Sequence, residues 1–184
     1  MGSLKKPKVV VLIDGSNFYF KLKSLGIKNI SRFDCRQLAE WLARDRVIVY
    51  AAYYVGVVRA KADDVAGQKL RQGQVQLFNF LRSPTQKFII RQGYLMNNDG
   101  VYHEKGVDVQ LAVDLLVGAY ENTYDTVVII SSDTDLIPAI EKVKQLGKQV
   151  EYIGFAHQPS FAMQRHANLS RLLIKEELEN FFVV

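Results

Sequence analysis

At 184 residues, with 48% hydrophobic and 23% charged side chains, the chain has the size and composition of one globular domain with a core of its own. No apolar run approaches the roughly 20 residues of a membrane span, no secretion signal is legible, and Lys6 stands where a myristoylation motif after Gly2 asks for Ser or Thr. One cysteine, Cys35, and three histidines exclude a disulfide framework and a Cys/His zinc site, so a reducing cytoplasm is expected; the net charge of +5 admits nucleic acid as a partner without requiring it.

Residues 1–7 read as a polar, flexible tail. Residues 8–13 (K-V-V-V-L-I) form a continuous apolar run, the mark of a strand buried on both faces. The run stops at Asp14-Gly15-Ser16-Asn17, and a helix follows over 17–25 with Gly26 as its stop. A second helix spans 35–44, with Leu38, Trp41 and Leu42 inward. A strand over 47–55 leads through a basic connector holding Arg59 and Lys61 to a long helix over 63–81. Val65, Leu70, Val75, Leu77, Phe78 and Leu81 supply most of that helix's apolar face. Ser83 and Pro84 end it, and a third strand spans 87–90. Residues 93–103 read as a hairpin arm, because Asp99-Gly100 lies between short apolar segments. A helix over 107–120, a strand over 126–130, a helix over 136–146, a strand over 148–153 and a helical segment over 160–182, in one or two pieces, complete the chain. Strands alternating with helices give an α/β fold with a mainly parallel sheet.

The chemistry concentrates in residues 126–138, T-V-V-I-I-S-S-D-T-D-L-I-P. Asp133 and Asp135 stand where a buried strand ends and a helix begins, at the edge where open parallel sheets bind ligands. Asp14 repeats that layout after the first strand. Asp108 sits in the first turn of its helix, on the face of Leu111, Ala112 and Leu115, and so at the upper rim of the helix–sheet contact. Asp114 falls on another face and is expected in solvent. If the first and fourth strands are neighbours, Asp14, Asp108, Asp133 and Asp135 converge on one crevice. Carboxylates gathered so closely repel one another unless a cation neutralises them. Donors made only of oxygen suit a hard ion such as Mg²⁺ or Mn²⁺, which can polarise a phosphodiester and generate hydroxide from bound water.

Taken singly, each Asp has a simpler role: Asp133 or Asp135 as a helix N-cap, Asp108 as a first-turn residue favoured by the helix dipole, Asp14 as a turn former in Asp-Gly. Asn17 either caps the first helix or reaches into the crevice, and Ser131 and Ser132 can hold the carboxylates by hydrogen bonds. His103, His157 and His166 are scattered and offer no general base. Tyr19, Tyr94 and Phe155 fall near strand ends, where packing competes with stacking on bases.

The stretches V-V-V-L-I-D-G-S-N-F-Y (9–19), K-G-V-D-V-Q-L-A-V-D-L (105–115), S-S-D-T-D-L-I-P-A-I (131–140) and L-G-K-Q-V-E-Y-I-G-F (146–155) resemble the NYN domain, a group within the PIN-like nucleases that includes the bacterial LabA-like proteins. The resemblance runs over about residues 8–155. It implies a three-layer α/β/α sandwich with a mainly parallel five-stranded sheet in the order 3-2-1-4-5, which sets the first and fourth strands side by side. It also implies a nuclease dependent on Mg²⁺ or Mn²⁺, usually acting on RNA. The acidic positions of that family fall on Asp14, Asp108 and Asp133, with Asp135 as a further one, and its polar Asn falls on Asn17. Ser132 stands where many such proteins carry Gly, and the hairpin carries no motif of the family.

The resulting expectation is a single-domain ribonuclease whose cation is held by Asp14, Asp108 and Asp133, with Asp135 as ligand or support. Asn17, Ser131 and Ser132 would orient water or phosphate, and Lys105, Arg59, Lys61 and Arg91 would steer the RNA backbone. A homodimer and no membrane partner are further expectations. Two other readings stay open: a non-catalytic RNA-binding or regulatory module on the same fold, and an Asp-dependent phosphatase. The second would want Asp-x-Asp after the first strand, where Asp14-Gly15-Ser16 stands.

Overall fold

In the computed structural model the described residues are 5–60, 63–98 and 101–182; Lys61, the hairpin turn at Asp99-Gly100 and the first four residues of the tail lie outside them. The first strand, β1 (Lys8–Asp14), runs straight into helix α1 (Gly15–Ser24). A 3₁₀ turn (Ile30–Arg32) and α2 (Cys35–Ala43) lead to β2 (Val47–Val57), then α3 (Val65–Arg82) and β3 (Phe88–Asn98). Next come β4 (Val101–Lys105), α4 (Val107–Tyr120), β5 (Thr126–Ile130), a second 3₁₀ turn (Thr134–Leu136) and α5 (Ile137–Gln145). Strand β6 (Gln149–Phe155), α6 (Phe161–His166), β7 (Leu169–Leu173) and α7 (Lys175–Leu178) close the chain.

One seven-stranded sheet has the order β4-β3-β2-β1-β5-β6-β7, and every pair is parallel except β3 with β4. Its five central strands keep the expected order, with β5 as the fourth and β6 as the fifth. The apolar runs explain why β1 and β5 sit in the middle. Val9, Val11 and Ile13 of β1 pack into a core with α1, α2 and α3, while Val10 and Leu12 face a second core formed with α4 and α5. A strand covered on both faces has no use for alternating polarity. The result is the three-layer α/β/α sandwich, with helices on both sides of the sheet.

Two strands lie beyond the expected five. The hairpin is present as β3 and β4. Tyr94 of β3 is the last residue paired with β2, opposite Val57, and beyond it the two strands of the arm pair only with each other. The segment over 160–182 corrects the helical expectation, because β7 interrupts it and pairs in parallel with β6. The leucine-rich stretch 169–173 looks helical by composition. The open edge of β6 offers it hydrogen bonds instead: Asn168 N–H donates to Val150 O at 2.8 Å and Ala156 N–H to Leu173 O at 2.9 Å. Leu172 and Leu173 then enter opposite cores, as the two-residue period of a strand requires. Arg171 stacks on the Trp41 ring, 3.8 Å from its centroid.

Helix α3 also departs from its expected face. Phe78 and Leu81 are buried and Leu77 packs against them, but Val65, Leu70 and Val75 stay exposed.

Two helical glycines separate packing from propensity. A methyl group added at Gly73 of α3 meets nothing within 4 Å, whereas one at Gly118 of α4 would lie 2.6 Å from the ring of buried Tyr124. Gly73→Ala is expected to raise stability by roughly 0.5–1 kcal/mol, the propensity gain. Gly118→Ala is expected to lower it by roughly 1–3 kcal/mol through overpacking. Urea unfolding of the two variants checks this, and shifts of the same sign would refute it.

Candidate active site

The C-terminal ends of β1 and β5 lie side by side, since Ile13 pairs with Ile130. Asp14 ends β1 and is also the N-cap of α1. Its Oδ1 accepts the Asn17 N–H at 3.0 Å, and its Oδ2 accepts the Ser131 hydroxyl at 2.8 Å. Only 6% of Asp14 is exposed. The Ser131 Oγ accepts in turn from the Asp133 N–H at 3.1 Å. Asp133 then caps the 3₁₀ turn, its Oδ1 accepting the Asp135 N–H at 2.9 Å. These bonds knit the two strand ends into one polar joint. Capping and convergence are therefore not alternatives here: Asp14 caps α1, Asp133 caps the 3₁₀ turn, and both still face a common cleft.

Gly15 does not serve as the glycine of an Asp-Gly turn, because it is already the first residue of α1. A Cβ there would fall 2.2 Å from the Tyr53 ring and 2.7 Å from Tyr54 O, so β2 packs directly on this position. The Tyr53 hydroxyl donates to Gly15 O at 3.3 Å.

Asp108 arrives from the far side. Gly106, in the left-handed region at φ +80°, turns the chain from β4 into α4 and places Asp108 in the first helical turn. Leu111 and Leu115 of that helix are buried against the sheet as expected, and Asp108 stands at the solvent-exposed rim. Asp14, Asn17, Asp108 and Asp133 line one cavity of about 640 Å³. That volume falls within the roughly 300–1,000 Å³ of small-molecule sites. The rest of its wall is mainly apolar, from Tyr19 and Phe20 of α1, Tyr53 and Val55 of β2, and Leu70 and Leu77 of α3, with Ser16 and Gln74 as polar members.

Other expected site residues lie elsewhere. Asp135 is exposed outside the cavity, and its backbone N–H, not its carboxylate, joins the network. The Ser132 hydroxyl faces the Tyr152 hydroxyl at 3.4 Å, so the residue standing in place of glycine is used in packing. Lys105 and Arg59 are exposed and do not line the cleft. Arg91 is engaged by Asp114, Nε to Oδ2 at 2.9 Å. Asp114 itself is not solvated as its helical position suggested: it also accepts from the Tyr54 hydroxyl at 2.8 Å and from Gln110 Nε2 at 2.9 Å. Burial, and then the neighbouring Asp114 carboxylate, hold the Tyr54 phenol far above its ordinary range. Phe155 belongs to the core against Phe18, whereas Tyr19 does reach the cleft. His157 meets the Ser24 hydroxyl at 2.7 Å and His166 meets Glu141 at 2.9 Å, both away from the cleft.

Tyr53, Phe20 and Gln74 went unmarked by sequence reasoning. The only signal for the α3 wall was the spacing of Leu70, Gln74 and Leu77 at i, i+4 and i+7.

Among the described residues the donors lining the cleft are three carboxylates, the Asn17 and Gln74 amides and hydroxyls such as Ser16, with neither thiolate nor imidazole, which in kind fits a hard divalent cation. Asn17 Oδ1 is buried and, among the described residues, has no hydrogen-bond partner, as an oxygen awaiting a ligand would be. Among the described residues no three His, Cys, Asp or Glu side chains stand close enough together to enclose a metal ion, so the carboxylates border the cleft without forming a closed ligand set.

Sheet order, helical layers and an acidic cleft at the strand ends define a PIN-like α/β domain. The chain belongs to the NYN domain family, whose model matches residues 8–171. The uncharacterized protein MJ0482 of Methanocaldococcus jannaschii is 31% identical over 96 residues, a stretch covering 52% of this chain and 38% of that protein. The chain thus spans well under half the length of that relative. A crystal structure of a protein of unknown function, VPA0982 from Vibrio parahaemolyticus, covers 100% of both chains with a TM-score of 0.71 at 22% identity, a likeness of fold. Among the described residues no helix is long and apolar enough to cross a membrane.

Ser131→Ala leaves Asp14 Oδ2 and the Asp133 N–H without their shared partner, and is expected to cost roughly 1–3 kcal/mol. Asp14→Asn keeps a side chain equally suited to the N-cap and is expected to stay folded. Urea midpoints check both, and an unshifted Ser131→Ala would show that the bridge adds nothing. The raised Tyr54 phenol has a pH signature: the unfolded chain ionises near pH 10 while the fold resists. Its contribution is therefore complete below about pH 10 and is lost above it. Tyr54→Phe should lose stability less steeply than wild type above that pH, and parallel profiles would exclude the effect.

Proposed function

We propose that this chain is a divalent-cation-dependent nuclease acting on RNA. One observation carries the reading: Asp14, Asp108 and Asp133, supplied by three distant segments, line a single cleft at the C-terminal edge of β1 and β5. Membership of the NYN family supports the same chemistry. Asp14, Asp108 and Asp133 are the groups that would hold Mg²⁺ or Mn²⁺, with Asn17 Oδ1 as a further oxygen, and the ion would have to draw together carboxylates that do not by themselves stand close enough to enclose it. Bound there, the ion supplies a Lewis acid for the phosphodiester and lowers the pKa of a water.

The chain's own residues prepare that site. The Asn17 N–H and the Ser131 hydroxyl fix both oxygens of Asp14, so its orientation needs no adjustment when substrate arrives. The cap on the 3₁₀ turn holds one oxygen of Asp133, its Oδ1. Asn17 Oδ1 can accept a hydrogen bond from a water in the cleft and so orient its lone pairs. Asp135 supports this through its backbone N–H and adds negative charge outside the cleft. Arg59 and Lys105 remain the candidates for drawing in the RNA backbone, since Arg91 is already paired with Asp114. A cytoplasmic location is part of the proposal.

The competing reading is a module on the same fold that binds RNA without cutting it. The absence of a closed three-carboxylate set among the described residues favours it. An end-labelled single-stranded RNA incubated with Mn²⁺ separates the two. Wild type is expected to cleave, EDTA to abolish cleavage, and Asp14→Asn to reduce it by at least about a hundredfold, as removing a metal-site group does. Equal cleavage by wild type and Asp14→Asn would overturn the mechanism. Retention of uncut RNA by wild type would establish the binding module instead.

A further inference from the structure

The cleft has two chemically unlike halves. Carboxylates stand at one end, and the rest is walled mainly by apolar side chains, the largest of them on α1 and α3 left open to solvent. Phe20 is 63% exposed and Leu70 is 57% exposed, although both line a concavity. Phe20 meets the neighbouring Tyr19 ring edge-on, with centroids 5.5 Å apart at 75°. Across from them Leu70 and Leu77 face the same space from α3. Apolar surface held open in a concavity marks a place for a ligand rather than a scattered surface residue.

The amide of this half is already engaged. Gln74 lies between Leu70 and Leu77, but its amide holds the connector after β2. Its Nε2 donates to Gly56 O at 2.7 Å, and its Oε1 accepts the Val58 N–H at 2.9 Å. Among the described residues no Lys or Arg lines the cleft. A sugar-phosphate backbone would enter this half beside three carboxylates with no described Lys or Arg on the wall to meet it. The one part of an RNA strand that suits such a wall is a nucleobase, which is uncharged, flat and able to stack on an aromatic ring whatever its sequence.

We propose that the apolar half of the cleft is a nucleobase subsite, in which Phe20 and Leu70 flank an unpaired base next to the phosphodiester held at the carboxylates. The proposal rests on the nuclease reading for its occupant. It makes Phe20 a specificity-determining residue: it grips the base and has no part in the bond-breaking step. A base seated there cannot remain paired in a duplex, and a larger ring covers more of the wall. A purine at that position is therefore held better than a pyrimidine, and an abasic nucleotide hardly at all.

Two measurements on the full chain test this. The first is Mn²⁺-dependent cleavage of single-stranded RNA by wild type, Phe20→Ala and Phe20→Trp. Phe20→Ala is expected to raise KM roughly tenfold, the weight of one stacked base, with kcat nearly unchanged, and Phe20→Trp to restore KM. The second is fluorescence of an RNA oligonucleotide carrying 2-aminopurine, bound by Asp14→Asn protein. Stacking quenches the probe, and adding Phe20→Ala or Leu70→Ser to that background should relieve the quenching. Both side chains are largely exposed, so these variants should fold, and unchanged urea midpoints verify it. An unchanged KM together with unchanged quenching would overturn the subsite while leaving the nuclease standing. Quenching that depends on Phe20 in a protein that never cleaves would support the subsite and overturn the nuclease reading.

Discussion

A single hydroxyl group joins the two halves of this molecule where its chemistry lies. Ser131 Oγ donates to Asp14 and accepts from the Asp133 N–H, linking strand ends that are 117 residues apart in sequence. The side chain is almost fully buried, so neither bond competes with water. Without that link the buried Asp14 carboxylate would lose the hydroxyl that holds its Oδ2. With it, one oxygen of Asp14 serves the cap of α1 and the other serves the bridge.

The rest of the fold makes that joint possible. Parallel strands place their C-terminal ends on one edge, and the order β2-β1-β5 reverses the direction of winding between β1 and β5. At such a point the helices leaving the two strands diverge and open a crevice. Here α1 leaves β1 toward one face, the segment after β5 turns toward the other, and α4 brings Asp108 to the gap. The apolar cores on both faces hold the strands rigidly enough that carboxylates at their tips keep fixed positions.

Charge is distributed against the net balance. The chain carries +5 in total, yet among the described residues those lining its cleft include three carboxylates and neither lysine nor arginine. A basic exterior raises the local concentration of a polyanion, while an acidic cleft turns that polyanion away unless a cation mediates. Arg91 shows how readily cations are absorbed in structure: Asp114, itself held by Tyr54 and Gln110, captures it.

The apolar runs at 8–13 and 126–130 already determine, from sequence alone, two strands buried on both faces, and their abrupt ends at Asp14 and at Ser131 mark the rim. Four stretches resembling the NYN domain point to Asp14, Asp108, Asp133, Asp135 and Asn17, and all of these but Asp135 line the cleft. Local pattern could not reach further, because the deciding contacts are distant in sequence. Leu169–Leu173 becomes a strand only because β6 presents an open edge. Helix α4 is apolar on nearly every side, so its spacing does not say which valines turn outward; packing on the sheet buries Leu111 and Leu115 and leaves Val109 and Val113 exposed. Asp114 looked like a surface residue until Tyr54 and Arg91, from neighbouring strands, closed around it. Periodicity records which residues share a face of one element. Which face another element covers, and which side chains from several elements border one cavity, is settled only by tertiary packing.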